Sequence, residues 1–413
     1  MAMGREAMVP EKWQHLRPRT IEVLRGDDFY DPREDLYGAV APPQEGLTGL
    51  IYTSIAYVSR TVREAAEVFA GVRSGYAYSR ISSTPPIDAL SRKLIEMEVG
   101  KDSTDRDEFG VLLTSSGMSA IFLVVLSLAE ETGEFISSPY LYGGTHHLFC
   151  DRLPKRKMHC HMVGNPFSVS AWERAAASHP NASFLFAEDD ANPTPFKLDN
   201  AVIAAVAHRY GMLYICDRTV GTPILEQPLR LGADVVIHSC SKNIGGRSQA
   251  LGGAIIARRE IIKTIHDKWF TVVGAVMDAR VADYMLYGIR DLEERMGEKQ
   301  RNARRVAEFL RDHPCVKKVY GPGGDLLAFE TAGSFENAVR VVESYRLILL
   351  APHLGHIRTL SIHPASTTHA QIAAEERSKL GISDTLIRIS VGLEDPEDVI
   401  DDLDQALIYA FSA

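Results

Sequence analysis

From about residue 110 to residue 257 the chain alternates short apolar runs with longer stretches of helical periodicity. Val111 to Leu113, Ser183 to Ala187, Leu213 to Cys216, Val235 to His238 and Gly253 to Ala257 read as strands, and Ala120 to Ala129 and Val202 to Tyr210 as helices. Strands that alternate with helices predict a largely parallel sheet covered on both faces, an α/β fold. Ser170 and Glu173 have the spacing of a capping box and predict a helix start there. Further on, Val281, Met285, Ile289, Leu292, Met296, Ala303, Val306 and Leu310 fall on one helical face, which predicts a long amphipathic helix broken near Gly297 and leading into a second domain. The turn at Gly321 to Asp325, a strand at Leu326 to Glu330, a helix at Val339 to Tyr345 and a last helix capped by Asp395 make that domain a smaller α+β unit. Residues 1 to about 50 carry Pro, Arg, Asp and Glu with little periodicity and read as an extended arm. The expected organisation is an arm and subunit-crossing segment over 1–82, a cofactor domain over 83–280 and a C-terminal domain over 281–413.

Composition narrows the function classes. A net charge of -9 with both signs mixed along the chain offers no positive field for nucleic acid or anionic lipid, and no apolar run reaches the length of a membrane span. The five cysteines are scattered without CxxC spacing, which argues against a disulfide framework and for a reducing, cytoplasmic setting. No apolar signal segment follows the N-terminus. His146-His147 and His159-Cys160-His161 lack a four-ligand spacing, so no metal is expected from the sequence.

The chemistry centres on His238 to Gly246, where an apolar strand runs into a loop carrying Lys242 among hydroxyls and glycines. A lysine that forms a Schiff base must be held rigidly and partly desolvated so that its amine is neutral, and hydroxyls beside it suit a phosphate. Asp217 ends the preceding apolar strand; a carboxylate there would keep a pyridine nitrogen protonated, as pyridoxal 5'-phosphate requires. Ser116, Gly117 and Met118 follow a third strand and open a helix, whose first amides suit an anion. Each feature alone has an ordinary alternative: an exposed lysine, a turn aspartate, a simple helix cap. No GxGxxG turn marks a dinucleotide fold.

Seven motifs in order, Tyr76-Ala77-Tyr78-Ser79-Arg80, Ser116-Gly117-Met118, Tyr142-Gly143-Gly144-Thr145, Asn192-Pro193, Asp217-Arg218-Thr219, Ser239-Cys240-Ser241-Lys242 and Arg388 to Gly392, make the chain resemble the Cys/Met-metabolism (trans-sulfuration) family of PLP enzymes, from about residue 47 to about residue 410. The resemblance implies a fold-type I transferase, a homotetramer of dimers in which Tyr78 and Arg80 reach the neighbour's cofactor phosphate. Within one chain it implies that Gly117, Met118, Ser239 and Ser241 bind the phosphate, Tyr142 stacks on the ring, Asp217 meets the pyridine nitrogen and Asn192 lies by the ring hydroxyl. Arg388 would clamp the substrate carboxylate, which a planar guanidinium can do bidentately. The implied activity is elimination or replacement of a γ-substituent through a vinylglycine-type intermediate, with Lys242 moving protons and Tyr142 helping the leaving group depart. A cofactor-binding regulatory protein with no turnover is the alternative class, which retention of Lys242, Tyr142, Asp217 and Arg388 disfavours.

The chain departs from the family pattern at several places. Ser83-Thr84-Pro85-Pro86 stands where the family has Asn-Pro-Thr, and Pro352-His353-Leu354-Gly355-His356 where cystathionine enzymes carry Glu-Ser-Leu-Gly-Gly. Arg218 to Gly221, Arg247 and Gln249 also differ, and Gly144 replaces the cysteine typical of methionine γ-lyases. His353 is assigned to the substrate pocket, and both His353 and His356 are expected chiefly to pack and hydrogen-bond. These changes leave the cofactor residues intact and alter the substrate side.

Overall fold

The computed structural model describes residues 54–412, so the expected N-terminal arm lies outside the described residues. Seven strands, β1 (Phe109–Thr114), β2 (Glu134–Ser137), β3 (His159–Met162), β4 (Phe184–Glu188), β5 (Leu213–Asp217), β6 (Val235–His238) and β7 (Gly253–Arg258), form one sheet in the order β1-β7-β6-β5-β4-β2-β3. All pair in parallel except β7, which is antiparallel to both β1 and β6. Alternate residues of the central strands enter two separate cores. Phe184, Phe186, Ile215, Val235 and Ile237 pack on one face with helix α2 (Gly117–Ala129), while Leu185, Ala187, Tyr214, Cys216 and Val236 pack on the other with α3 (Val169–Ser178) and α4 (Asn200–Arg209). This two-sided burial is why the strands read as unbroken apolar runs, and each such side chain contributes about 1.5–3 kcal/mol.

Preceding these in the chain, α1 (Pro85–Val99) packs through Leu90 and Leu94 against Cys240, Ile244 and the helix α5 (Ala279–Ile289). Beyond α5, helix α6 (Leu292–Asp312) lies under a five-stranded sheet of β8 (Val316–Gly323), β9 (Leu326–Thr331), β10 (Leu349–Leu350), β11 (Leu360–Ile362) and β12 (Leu386–Ser390), ordered β10-β11-β12-β9-β8. Its core joins Leu327, Phe329, Ile387 and Ile389 to Val306 and Leu310 of α6, Val341 of α7 (Phe335–Glu343) and Leu403 of α8 (Pro396–Phe411).

Three local expectations are adjusted. The long helix breaks at Arg290 and Asp291, not at Gly297, which sits inside α6. A single helical glycine costs only about 1 kcal/mol relative to alanine, too little to interrupt a continuous buried face. At the actual break Asp291 leaves the helical conformation and takes bonds from Arg295 (2.7 Å) and Arg247 (2.8 Å). Helix α5 shares its core with α1 and the Lys242 loop. The Ser170 capping box does not form: α3 starts at Val169, Ser170 bonds to Ser168 and Arg174, and Glu173 pairs with Arg209. Helix α7 begins earlier than predicted because Ser334 and Asn337 close a capping box of their own. Asp395 caps α8 as the sequence predicts, accepting from Glu397.

Candidate active site

The carboxyl ends of β4, β5 and β6 deliver Glu188, Asp217 and His238 side by side, at the sheet edge where open α/β folds collect ligands. Asp217 is buried, and its Oδ1 accepts from both the backbone N–H (3.0 Å) and the hydroxyl (2.6 Å) of Thr219. The Thr219 hydroxyl oxygen in turn accepts from the Ser239 N–H at 2.8 Å, which ties the acid to the loop after β6. Burial raises the Asp217 carboxyl against only the weak pull of these bonds and of His238. Glu188 is raised as well, first by burial and then by the Asp217 charge. Two buried acids in register, without a strong cation beside them, form a site that a protonated pyridine nitrogen would satisfy.

Ser116 caps α2 by accepting from Ser119 N–H (3.1 Å). This leaves the first-turn amides of Gly117 and Met118 at the positive end of a 13-residue helix. Gly117 is obligatory here, since a Cβ would stand 2.6 Å from the Cβ of Ser239. The helix start and the Ser239 loop therefore share one cradle with no side chain between them, of the kind that accepts phosphate. Ser241 braces the loop instead: its hydroxyl donates to Gly252 O (3.2 Å) and accepts from Gly252 N (2.9 Å). A phosphate contact from Ser241 requires that first bond to be given up.

Lys242 is mostly buried and its amine is pushed down to about 8, first by burial and then by the Arg388 charge. Its Nζ lies 3.0 Å from His353 Nδ1. Burial, followed by Lys242, His356 and Arg388, pushes His353 down to about 4, so its ring is neutral and Nδ1 accepts the bond from Lys242. His356 does not enter the site; its Nδ1 accepts from the Arg358 N–H at 3.0 Å and holds the turn. Arg388 is buried on β12, donating to Asn192 Oδ1 (3.2 Å) and the His353 carbonyl (2.6 Å). Its Nε has no partner, and among the described residues it has no carboxylate salt bridge. A buried guanidinium in that state is a receptor for an anion.

Tyr142 is 41 % exposed at the mouth of the site and its N–H donates to Glu188 Oε2 at 2.7 Å. Its phenol is raised by burial and by Glu188, so it keeps its proton at neutral pH. A Cβ on Gly144 would stand 2.6 Å from the Tyr142 ring. Replacing Gly144 by Cys is therefore expected to tilt that ring and cut kcat/KM by about tenfold, a loss of about 1.4 kcal/mol, with the near-ultraviolet cofactor circular dichroism changed in parallel. An unchanged signal would show that the ring has room. Asn192 N donates to Glu188 Oε1 (3.2 Å), and the Asn192–Pro193 peptide is cis. Arg80 lies over the Tyr78 ring and donates to the Thr271 carbonyl at 2.5 Å.

Several residues of the site carried no motif. Glu188 holds the backbones of both Tyr142 and Asn192. The only hint was an acidic run directly before Asn192-Pro193. His369, buried, bonds to Thr368 (2.9 Å) and is pushed down to about 4 by burial and Arg388. His238 pairs with Glu98 at 2.6 Å in full burial. Arg218, in the motif, pairs with Asp189 (2.9 Å) and Asp190 rather than with the site. Behind Lys242, Asn243 donates to Asp325 (2.9 Å) and accepts from Lys299 (2.9 Å), and Asp325 also takes the Ser390 hydroxyl (2.9 Å).

A buried lysine of lowered pKa, a buried acid at a strand end and a helix-start anion cradle define a pyridoxal-phosphate enzyme. The chain belongs to the family described as Cys/Met metabolism PLP-dependent enzymes, whose model matches residues 38–408. An L-methionine gamma-lyase of Fusobacterium nucleatum subsp. polymorphum is 32% identical over 91% of this chain and 95% of that protein. An O-succinylhomoserine sulfhydrylase of Pseudomonas aeruginosa is 33% identical over 86% and 90%. Among solved structures, cystathionine gamma synthase of Xanthomonas oryzae pv. oryzae, in complex with cystathionine, superposes with a TM-score of 0.82 at 30% identity, covering 95% of this chain and 98% of that one. A Campylobacter jejuni chain assigned as an O-acetylhomoserine (thiol)-lyase, carrying N'-pyridoxyl-lysine-5'-monophosphate, reaches 0.83 at 29% identity over 94% and 99%. No described helix is long and apolar enough to cross a membrane.

Proposed function

We propose that the chain eliminates or replaces the γ-substituent of an amino acid, with the substrate carboxylate held by Arg388. The observation that carries this reading is the convergence of the Lys242 amine with a buried Arg388 whose Nε has no protein partner and which also holds Asn192. Pyridoxal phosphate, when bound, supplies an electron sink for charge developing at the substrate's α-carbon. Asp217 would face its pyridine nitrogen, Asn192 its ring hydroxyl and Tyr142 its ring, with the amides of Gly117 and Met118 and the hydroxyls of Ser239 and Ser241 around its phosphate. Lys242, a free base above about pH 8, takes protons from the substrate's carbons. Tyr142, which keeps its proton, protonates the departing group.

His353 stands on the substrate side, and its neutral ring offers no charge to a distal ammonium. That supports a γ-substituent that is not cationic, such as an acyl ester or a thioether. The family resemblance supports a cytoplasmic homotetramer in which Tyr78 and Arg80 serve the neighbouring subunit's phosphate; the exposed Tyr78 is free to do so.

Mass-spectrometric product analysis tests the reading, using protein and PLP with O-acetylhomoserine, O-succinylhomoserine, methionine, cystathionine, canavanine and S-adenosylmethionine, each with and without thiol. Release of a 2-oxo acid and ammonia regardless of thiol identifies a lyase. A thioether formed at the expense of oxo acid identifies a replacement enzyme. Turnover of none of these substrates, with a normal cofactor spectrum, would count against γ-chemistry.

A further inference from the structure

The His159-Cys160-His161 run has no role in the active site, yet the fold gives it neighbours that the sequence did not. It forms β3, the outer edge of the seven-stranded sheet, separated from β5 by β2 and β4. Glu134 opens the adjoining strand β2, and His179 follows the last turn of α3. Three segments far apart in sequence thus bring one carboxylate and two imidazoles together, with one ligand atom of each within 4.8 Å of the others. Among the described residues no other such group of three occurs.

We propose that Glu134, His161 and His179 bind a divalent transition-metal ion, zinc being the best match. Nitrogen and oxygen ligands bind zinc at about 2.0–2.2 Å, so tetrahedral neighbours lie about 3.3–3.6 Å apart. His161 Nε2 and Glu134 Oε2 are already 3.3 Å apart, long for a charge-assisted hydrogen bond but right for two ligands on one ion. The two imidazoles stack with ring centroids 3.5 Å apart and planes 14° apart. Neutral imidazoles are the form that binds metal. Strand alternation puts exposed His159 on the same face of β3 and sends Cys160 to the opposite face. Two histidines, one carboxylate and an exchangeable fourth position are a recognised zinc set. The ion would pin the edge strand to β2 and to the end of α3.

Chelator-treated holoenzyme titrated calorimetrically with zinc sulfate at pH 7.5 is the test. The expected result is one equivalent per chain with micromolar or tighter affinity, weakened at least tenfold at pH 5.5 as the imidazoles protonate. Glu134→Gln and the double variant His161→Ala/His179→Ala are expected to lose at least tenfold in affinity while keeping full activity with PLP, and zinc should raise the melting temperature of the parent but not of the double variant. The partly exposed Cys150, hydrogen-bonded to His146 at 3.7 Å with Glu376 nearby, is the competing site. Binding that survives in the double variant, that disappears instead in His146→Ala/Cys150→Ser, or that is absent in the parent overturns the proposal.

Discussion

Lys242→Ala is expected to lower turnover at least about 10³-fold, within the range a positioned proton-transfer group supplies, while leaving the fold intact. Nothing structural depends on the amine except the bond to His353, and truncation relieves the desolvation that depresses it. The variant should therefore melt within a few degrees of the parent. It should still take up PLP, but without the absorption band of a lysine-linked cofactor. Full turnover with that band retained would remove Lys242 from the mechanism. A companion measurement concerns pH. An amine pushed down to about 8 is mostly protonated below that pH and free above it, so the rate of PLP uptake by parent apoprotein should rise through about pH 8 and then level. Arg388 contributes to the depression, so Arg388→Ala should move the midpoint upward.

The largest expected loss of stability is at Asp325, which is fully buried with Lys299 3.6 Å from it. Asp325→Ala would leave the Lys299 ammonium buried without a counter-charge and take acceptors from Asn243 and Ser390. Breaking a buried pair from one side costs about 3–5 kcal/mol. The loss should appear as a lower urea midpoint at fixed protein concentration. Lys299→Met combined with Asp325→Ala should cost less than Asp325→Ala alone, because no buried charge is stranded. An equal or greater loss in the double variant would place the energy in packing rather than charge.

The parallel sheet was legible because five of its strands are buried on both faces and announce themselves as apolar runs. Strand β3 was not, since an edge strand reading His-Cys-His-Met has no apolar run to see. Of the site, residues inside local motifs were legible: Lys242 and Asp217 from their strand ends, Gly117 from its helix start. Arg388 drew its expected role from resemblance, and the fold places it against Asn192. What stayed hidden was set by contacts distant in sequence. Glu188 matters because parallel pairing brings it to Asp217. Asp325 matters because it meets a lysine on α6 and an asparagine after Lys242. His353 was visible as an oddity, but its bond to Lys242 spans two units of the fold.

Gly355 sits against the backbone that follows Lys242, where an added Cβ would be 2.5 Å from Asn243 N, and its own N–H donates to Ser390 at 2.9 Å. Its φ of +81° independently disfavours any other residue. Two positions away, the His353 ring meets the Lys242 amine at 3.0 Å, and its carbonyl accepts from Arg388 at 2.6 Å. The segment thus divides into a backbone anchor at 355 and a side chain at 353 that meets the Lys242 amine. On the proposed function, single substitutions at residue 353 are expected to shift substrate preference, and a library built there with 355 held fixed tests this at little risk to folding.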